Sequence, residues 1–306
     1  MKPVHVFLVV AALALLPWGL QSEYVFHIVT MIAIMVPMAL SMNLMLKIGQ
    51  LSLAQPAFMG IGAYGSVLLT MRLGVPPVLA LCLGAVFSAL TAVIVGPVFL
   101  RIKGVYFVLL TYAFGQIVNL VFQEWTSLFG GNGGLYGIPK FSIFGLRLAA
   151  VQQYYVFGLL FTAFTYAAMR AIERSDIGAL FQSLNENEML SRSIGSNALA
   201  WRIAAFTFSA FIAGISGAIY AFYLGFLSPD AFGFRLSVDL IVINAIGGAT
   251  SVLGPLLGSI LVVPLPEVLR DARQYQLLIY GLCLMIFLIF MRKGLVSLIQ
   301  HHLRTA

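Results

Sequence analysis

Residues 77–100 read PVLALCLGAVFSALTAVIVGPVFL, with no charged side chain from end to end. About 20 such residues in a helix cross the hydrocarbon core of a bilayer. The run does not alternate with period two, which excludes a barrel strand. Working outward from it, further apolar runs lie at 24–46 and 55–73 before it, and at 104–124 and 152–172 after it. Others lie at 4–20, 201–225, 237–249, 255–270 and 275–291. The composition agrees: 61% of the 306 residues are hydrophobic and 9% are charged, against about 25% charged in ordinary soluble domains. Mean hydropathy is +1.02. The expected fold is all-α and polytopic, with about ten transmembrane spans in a single domain over residues 1–306. The short runs 237–249 and 255–270 read as two short spans or as one broken or re-entrant unit, so the count lies between nine and eleven.

The N-terminus resembles a secretory signal, with Lys2 ahead of an apolar stretch from Val4 to Leu16. No small-residue cleavage site follows, and Pro17-Trp18 reads as an interfacial boundary. The stretch is taken as an uncleaved first span. Orientation follows from counting cations. With the N-terminus inside, the inner segments carry eleven: Lys2, Lys47, Arg101, Lys103, Arg170, Arg174, Arg192, Arg202, Arg292, Lys293 and Arg304. The outer segments carry six: Arg72, Lys140, Arg147, Arg235, Arg270 and Arg273. The positive-inside rule then puts both termini and the 175–202 loop in the cytoplasm. The net charge of +7 is this bias, and it does not argue for nucleic acid. Cys82 and Cys283 lie in apolar runs and read as small hydrophobes.

Ten spans divide into five that begin inside and five that begin outside, the topology of an inverted repeat. The third span of each set is irregular. The first is GQLSLAQPAFMGIGAYG (49–65), with Pro56 and Gly49, Gly60, Gly62 and Gly65; the second runs from Ser237 to Gly248 and on to Gly254-Pro255. Paired Gly/Pro-interrupted segments point to a substrate path near the midplane. The same glycines also serve close helix packing. Path candidates are Ser52, Gln55, Asn119, Asn244 and Asp239, the last being the one carboxylate placed within a span. Asn43, Thr111 and Gln116 are further uncharged polar residues in spans. The external loop 125–151 contains FGGNGGLYGIP (129–139) and reads as a structured cap or a plain connector.

The polar stretch 175–202 is SDIGALFQSLNENEMLSRSIGSNALAWR. Asn185 with Glu188 has the spacing of a capping box. Gly195 suits a left-handed helix end, and Ser196 suits the cap of the next span. Leu180 and Leu184 share a face, as do Leu190 and Ile194. The stretch reads as a capped amphipathic hairpin that docks another protein, or as a solvated connector.

Several chemistries are disfavoured. Gly60-Ile-Gly62-Ala-Tyr-Gly65 matches a dinucleotide fingerprint but lies in an apolar run with no strand before it. No lysine follows a glycine anywhere, so no phosphate-binding loop exists and ATP is not hydrolysed by this chain. His5, His27, His301 and His302 have no ligand-spaced neighbours, and no metal is expected. A proton-coupled carrier usually needs more intramembrane ionisable groups than these.

Seven stretches coincide with one family: 49–65, RIKGVYFVLLTYAFGQ (101–116), GGNGGLYGIP (130–139), NENEMLSRSIG (185–195), AAFTFSAFIAGISGAIYA (204–221), SPDAF (228–232) and IGGATSVLGPLLGSIL (246–261). The chain resembles the M-type permease subunit of bacterial branched-chain amino acid ABC importers. The resemblance implies a pore subunit in the cytoplasmic membrane and in contact with its lipid, paired with a second, related permease. It implies two ATP-binding subunits, which hold the ATP and Mg, and an extracytoplasmic binding protein. It assigns 175–202 to the ATPase contact, with Gly178, Glu186, Asn187, Glu188, Arg192 and Gly195 as coupling residues. Residues 178–199 would then move as a lever. Departures from the family pattern are Gln55 where a His is common, Lys293 where a Pro is common, and missing basic residues near Ala179 and Asn185. Relatives carry urea, amides or small carboxylates. A secondary carrier is the alternative from another class.

Overall fold

The computed structural model describes residues 22–143, 146–148, 150–186, 197–290 and 294–296. The expected first span at 4–20 lies outside them. The helices are α1 (Glu23–Lys47), α2 (Gln55–Leu73), α3 (Pro77–Phe99), α4 (Val105–Glu124) and α5 (Val151–Arg174). They continue as α6 (Asp176–Glu186), α7 (Ala198–Leu224), α8 (Phe234–Gly247), α9 (Leu253–Val262) and α10 (Gln276–Phe290). Five of these, α1, α3, α4, α5 and α7, are long and apolar enough to cross a membrane. The run expected at 255–270 is broken: α9 ends at Val262 and a helical turn, Leu265–Val268, follows after Pro264.

α1 and α7 form the buried centre. α7 packs chiefly on α2 and α3, α1 on α5, and the α8–α9 hairpin on α1. In lipid the hydrophobic effect does not drive helices together, so close backbone approach and hydrogen bonds must do it. Both are present. A Cβ placed on Gly62 would run into the Gly214 backbone, and one on Gly217 into the Met59 carbonyl. Ser88 Oγ of α3 sits between the Phe58 carbonyl of α2 (3.0 Å) and the Ala210 carbonyl of α7 (2.8 Å), where it can donate to either. The GxGxxG run is thus a helix-packing surface.

Pro37 lies inside α1 and has no N–H to give the carbonyl four residues back, that of Ala33. Thr162 Oγ1 of α5 donates to that oxygen at 2.6 Å. A neighbouring hydroxyl thus satisfies a carbonyl that proline leaves free inside the membrane. The outer faces are apolar: Leu90, Ile94 and Val98 on α3, Leu109, Ile117 and Leu120 on α4, and Leu278 and Leu282 on α10 are exposed. Lipid or a partner's helices suit such faces, whereas water does not.

The glycine-rich segment is built rather than loose. After the helical turn Thr126–Phe129, strand β1 (Leu135–Tyr136) pairs antiparallel with β4 (Phe226–Leu227), which directly follows α7. A second ribbon joins β2 (Ser142–Ile143) and β3 (Leu146–Arg147). Arg72 at the end of α2 donates to the Ser127 carbonyl and to that of Leu128.

Candidate functional site

The two irregular segments meet. Residues 49–54 are non-helical between α1 and α2, and Leu53 is gripped from both sides. Its N–H donates to Thr111 Oγ1 of α4 (3.1 Å), and its carbonyl accepts from Ser237 Oγ of α8 (3.0 Å). A small cleft there is lined by Leu53, Pro56, Gln116, Gly233 and Ser237, with Gln116 exposed.

Around this junction the polar candidates are buried and bonded to one another's helices. Gln55 Nε2 donates to Ser209 Oγ (2.7 Å) and Ser209 Oγ to the Ser41 carbonyl (2.9 Å), while Ser41 Oγ can donate to the Met38 carbonyl (2.7 Å) or to Gln55 Oε1 (3.2 Å). This network ties α1, the start of α2, and α7. Asn244 of α8 donates to the Ala39 (3.1 Å) and Leu240 (2.9 Å) carbonyls and accepts from Asn43 Nδ2 (3.0 Å). Asn43 also donates to the Ala249 carbonyl (2.8 Å), just beyond the break at Gly248. Ser52 is fully buried and its Oγ accepts from the Ala54 N–H (3.3 Å). Asn119 stands apart, holding the Pro229 carbonyl (2.8 Å) and accepting from Gln123 (2.6 Å).

Removing such a group strands its partners in a dry interior, which costs about 1–3 kcal/mol for each one left unsatisfied. Asn244→Ala should therefore lower the thermal midpoint of the purified protein by several degrees, and Asn244→Asp by at least as much: a carboxylate keeps an acceptor for Asn43 but has no N–H for the Ala39 and Leu240 carbonyls and buries a charge against them. An Asn244→Asp midpoint at that of the unsubstituted protein in thermal scanning would mean that the bonds to Ala39 and Leu240 contribute little.

Asp239 faces elsewhere. Tyr280 Oη donates to its Oδ1 at 2.7 Å, and the Arg235 guanidinium carbon lies 5.5 Å above the Tyr280 ring. Asp239, His27, Tyr220, Glu267 and Tyr280 share a cavity of about 290 Å³ with aliphatic walls. His27 Nδ1 lies 2.7 Å from the Tyr223 hydroxyl. Sequence reasoning reached Asp239 alone. The others come from α1, α7, α10 and the turn Leu265–Val268, and no local spacing relates them.

At the opposite end, α6 leaves α5 almost without a linker. Ser175 takes an extended conformation, so α5 stops at Arg174 and a new helix starts at Asp176. Asn185 lies within α6, near its end, and so does not cap a helix start there; Glu188, the other half of the expected capping box, lies outside the described residues. Asn197, one residue after the expected Ser196, caps α7 by accepting from the Ala200 N–H (3.1 Å). Phe181 and Leu184 are buried and Leu180 is half-buried, so the expected Leu180–Leu184 face does pack on the bundle. A Cβ on Gly178 would fall 2.5 Å from the Ile172 carbonyl oxygen and 2.6 Å from that of Glu173, so the tight turn leaves room only for glycine. Glu173 is paired with Lys47 of α1 and with Arg170. Glu186 is exposed and accepts from Gln182 (2.8 Å). Asn187, Glu188, Arg192 and Gly195 lie outside the described residues.

One contact joins this cytoplasm-assigned end to the junction. Gly49, with φ +75°, abuts Asn185: a Cβ there would sit 2.7 Å from Asn185 Oδ1 and 3.4 Å from its Cα. Gly49 opens the non-helical segment that leads to Leu53.

Comparison with known proteins fits this architecture. Over 301 residues the chain is 28% identical to the high-affinity branched-chain amino acid transport system permease protein LivM of Salmonella typhimurium, covering 90% of this chain and 71% of that protein. To LivM of Escherichia coli it is 27% identical over 323 residues, covering 97% of this chain and 76% of that one. No solved structure matches. The family model described as branched-chain amino acid transport system / permease component matches residues 24–291, and this chain, a polytopic all-helical membrane permease, belongs to that family.

Proposed function

We propose that the chain is one pore subunit of an ABC importer that moves branched-chain or related amino acids inward across the bacterial cytoplasmic membrane. The family match over residues 24–291 carries this reading. A second, related permease completes the pore. Two ATP-binding subunits, which hold the ATP and Mg, dock at 175–202, and an extracytoplasmic protein delivers the solute. Both termini are cytoplasmic, and the spans form two halves of five in opposite orientation.

The contacts support an alternating-access reading. ATP-driven motion of the docked subunits shifts α6. Asn185 then bears on Gly49, and the 49–54 segment shifts against Thr111 and Ser237. The path opens beside the junction where Ser52, Gln55 and Asn244 hold the broken segments, with Asn119 bracing the outer loop and Asp239 on the outer side. The bonded network keeps each helix rigid, so that motion falls on the junctions. Such motion needs alternate arrangements of packed elements.

Uptake by vesicles that contain the assembled subunits tests the class. Leucine should accumulate only with ATP inside and the binding protein outside. Uptake driven by an ion gradient, with no ATPase present, would sink the reading. A charge test addresses the docking surface. Glu186→Lys combined with Glu188→Lys should cut copurification of the ATP-binding subunits and leave the permease monodisperse on gel filtration. Undiminished copurification and transport would remove 175–202 from the interface.

A further inference from the structure

We infer that the cavity bounded by α1, α7, α8, α9 and Tyr280 is a station for one zwitterionic aliphatic amino acid within this single subunit; the inference rests on the importer reading above. An α-amino acid with a branched apolar side chain needs three things: an anion for its ammonium, a cation for its carboxylate, and a dry aliphatic wall. The cavity region supplies all three. Ile28, Met35, Ile243 and Val262 provide the wall. Asp239 provides the anion: Tyr280 Oη holds its Oδ1, and Tyr280 is the one described residue that donates to this carboxylate. Arg235 is not among the lining residues; it lies one helical turn before Asp239, with its guanidinium carbon 5.5 Å over the ring of the lining Tyr280, and offers the cation from there. Glu267 adds a second carboxylate, shared with the exposed Arg270 at 3.3 Å.

Size favours a small solute over a lipid. The volume of about 290 Å³ is at the lower bound of ordinary ligand pockets, roughly 300–1,000 Å³, and a two-chain phospholipid does not fit within it. Position agrees as well. His27, Tyr220 and Asp239 lie toward the helix ends that adjoin the glycine-rich cap, the side assigned as extracytoplasmic by charge. A solute released there by a binding protein would meet the cavity before the junction near Leu53.

The test uses the full transporter in proteoliposomes, with Cys82 and Cys283 replaced by Ala and with Val262→Cys as a reporter. A small thiol reagent labels Cys at 262, and leucine is the competing probe. At a leucine concentration ten times its Kd for the cavity, labelling should slow about tenfold by mass action. Urea at equal concentration should not protect. In parallel, Val262→Trp, which fills the space, should abolish leucine uptake while the ATP-binding subunits still copurify. Absence of leucine protection in a complex that takes up leucine would overturn the inference and leave the importer reading intact. So would normal uptake by Val262→Trp, or a copurifying phospholipid lost from that variant with unchanged transport. Failure of the unsubstituted complex to take up any aliphatic amino acid would instead sink the importer reading.

Discussion

Replacing Gly62 with valine should prevent stable assembly of the α2–α3–α7 core. The atoms in the way are backbone: the Gly214 Cα, carbonyl carbon and carbonyl oxygen stand where the first side-chain carbon would go. A side chain can change rotamer to yield space, but a packed helix backbone cannot. The Gly62 carbonyl is itself pressed from α3, since a Cβ on Gly84 would meet it. Three helices therefore converge on one residue, and separating any pair releases the others. Overpacking a close-fitted core typically costs about 1–3 kcal/mol, and valine adds a branched side chain at a backbone-to-backbone contact, so the loss should lie at or beyond the upper end. Gly281→Ala is the matched control. It also replaces a helical glycine, but a Cβ there meets nothing within 4 Å, and alanine's better helix propensity is worth up to about 1 kcal/mol. Thermal scanning of the two purified variants should show a collapse of the midpoint, or no monodisperse protein, for Gly62→Val. Gly281→Ala should melt at or above the unsubstituted protein. A midpoint for Gly62→Val within two degrees of the starting chain would show that the contact yields, and the packing account would fail.

The contrast between those two glycines shows where sequence reading works and where it stops. An uncharged run of membrane-crossing length is a one-dimensional signal, because lipid requires each crossing segment to satisfy its own backbone. The expected run at 77–100 therefore became α3 at Pro77–Phe99, and 104–124 became α4 at Val105–Glu124. Breaks at Gly/Pro clusters were legible for the same reason, as at Gly248–Val252 between α8 and α9. Which glycine is crowded is a different matter. Gly62 meets Gly214 and Asn43 meets Asn244, across stretches of chain that no spacing rule spans. The polar candidates Ser52, Gln55, Asn119 and Asn244 stand out in the sequence as uncharged polar residues in or beside apolar runs. Their partners depend on helix register, and register depends on the whole bundle. Thr162 offers the clearest case. Nothing near it explains a threonine there, and its role appears only once Pro37 is seen to free the Ala33 carbonyl. Ser175-Asp176 starts a short new helix, which carries Asn185 to its far end, against Gly49.

That last contact gives the largest expected functional effect. Gly49→Ala should leave the complex assembled and hydrolysing ATP while leucine uptake falls at least tenfold. Two costs arise at this residue, and they are separable. The φ of +75° disfavours any side chain, by roughly 1–2 kcal/mol for an L-residue. The second cost is steric: the new methyl would stand 2.7 Å from Asn185 Oδ1 and push α6 away from the 49–54 segment. Asn185→Gly in the same chain removes the obstructing side chain but not the φ penalty. A double-mutant cycle on transport per ATP hydrolysed reads the difference, because residues in contact show non-additive effects of about 0.5–3 kcal/mol. If Asn185 bears on Gly49 to pass motion from the ATP-binding subunits to the junction at Leu53, the double variant should recover part of the lost uptake. Both variants share the φ cost, so each should melt below the unsubstituted protein, the single variant lower because it alone carries the clash with Asn185. Additive losses in the cycle would mean that the two residues touch without coupling. An unchanged ratio of leucine to ATP in Gly49→Ala would mean that force reaches the broken segments by some other contact of α6. The buried face of Phe181 and Leu184 is the alternative route, and truncating Phe181 to Ala would then carry the defect that Gly49→Ala did not.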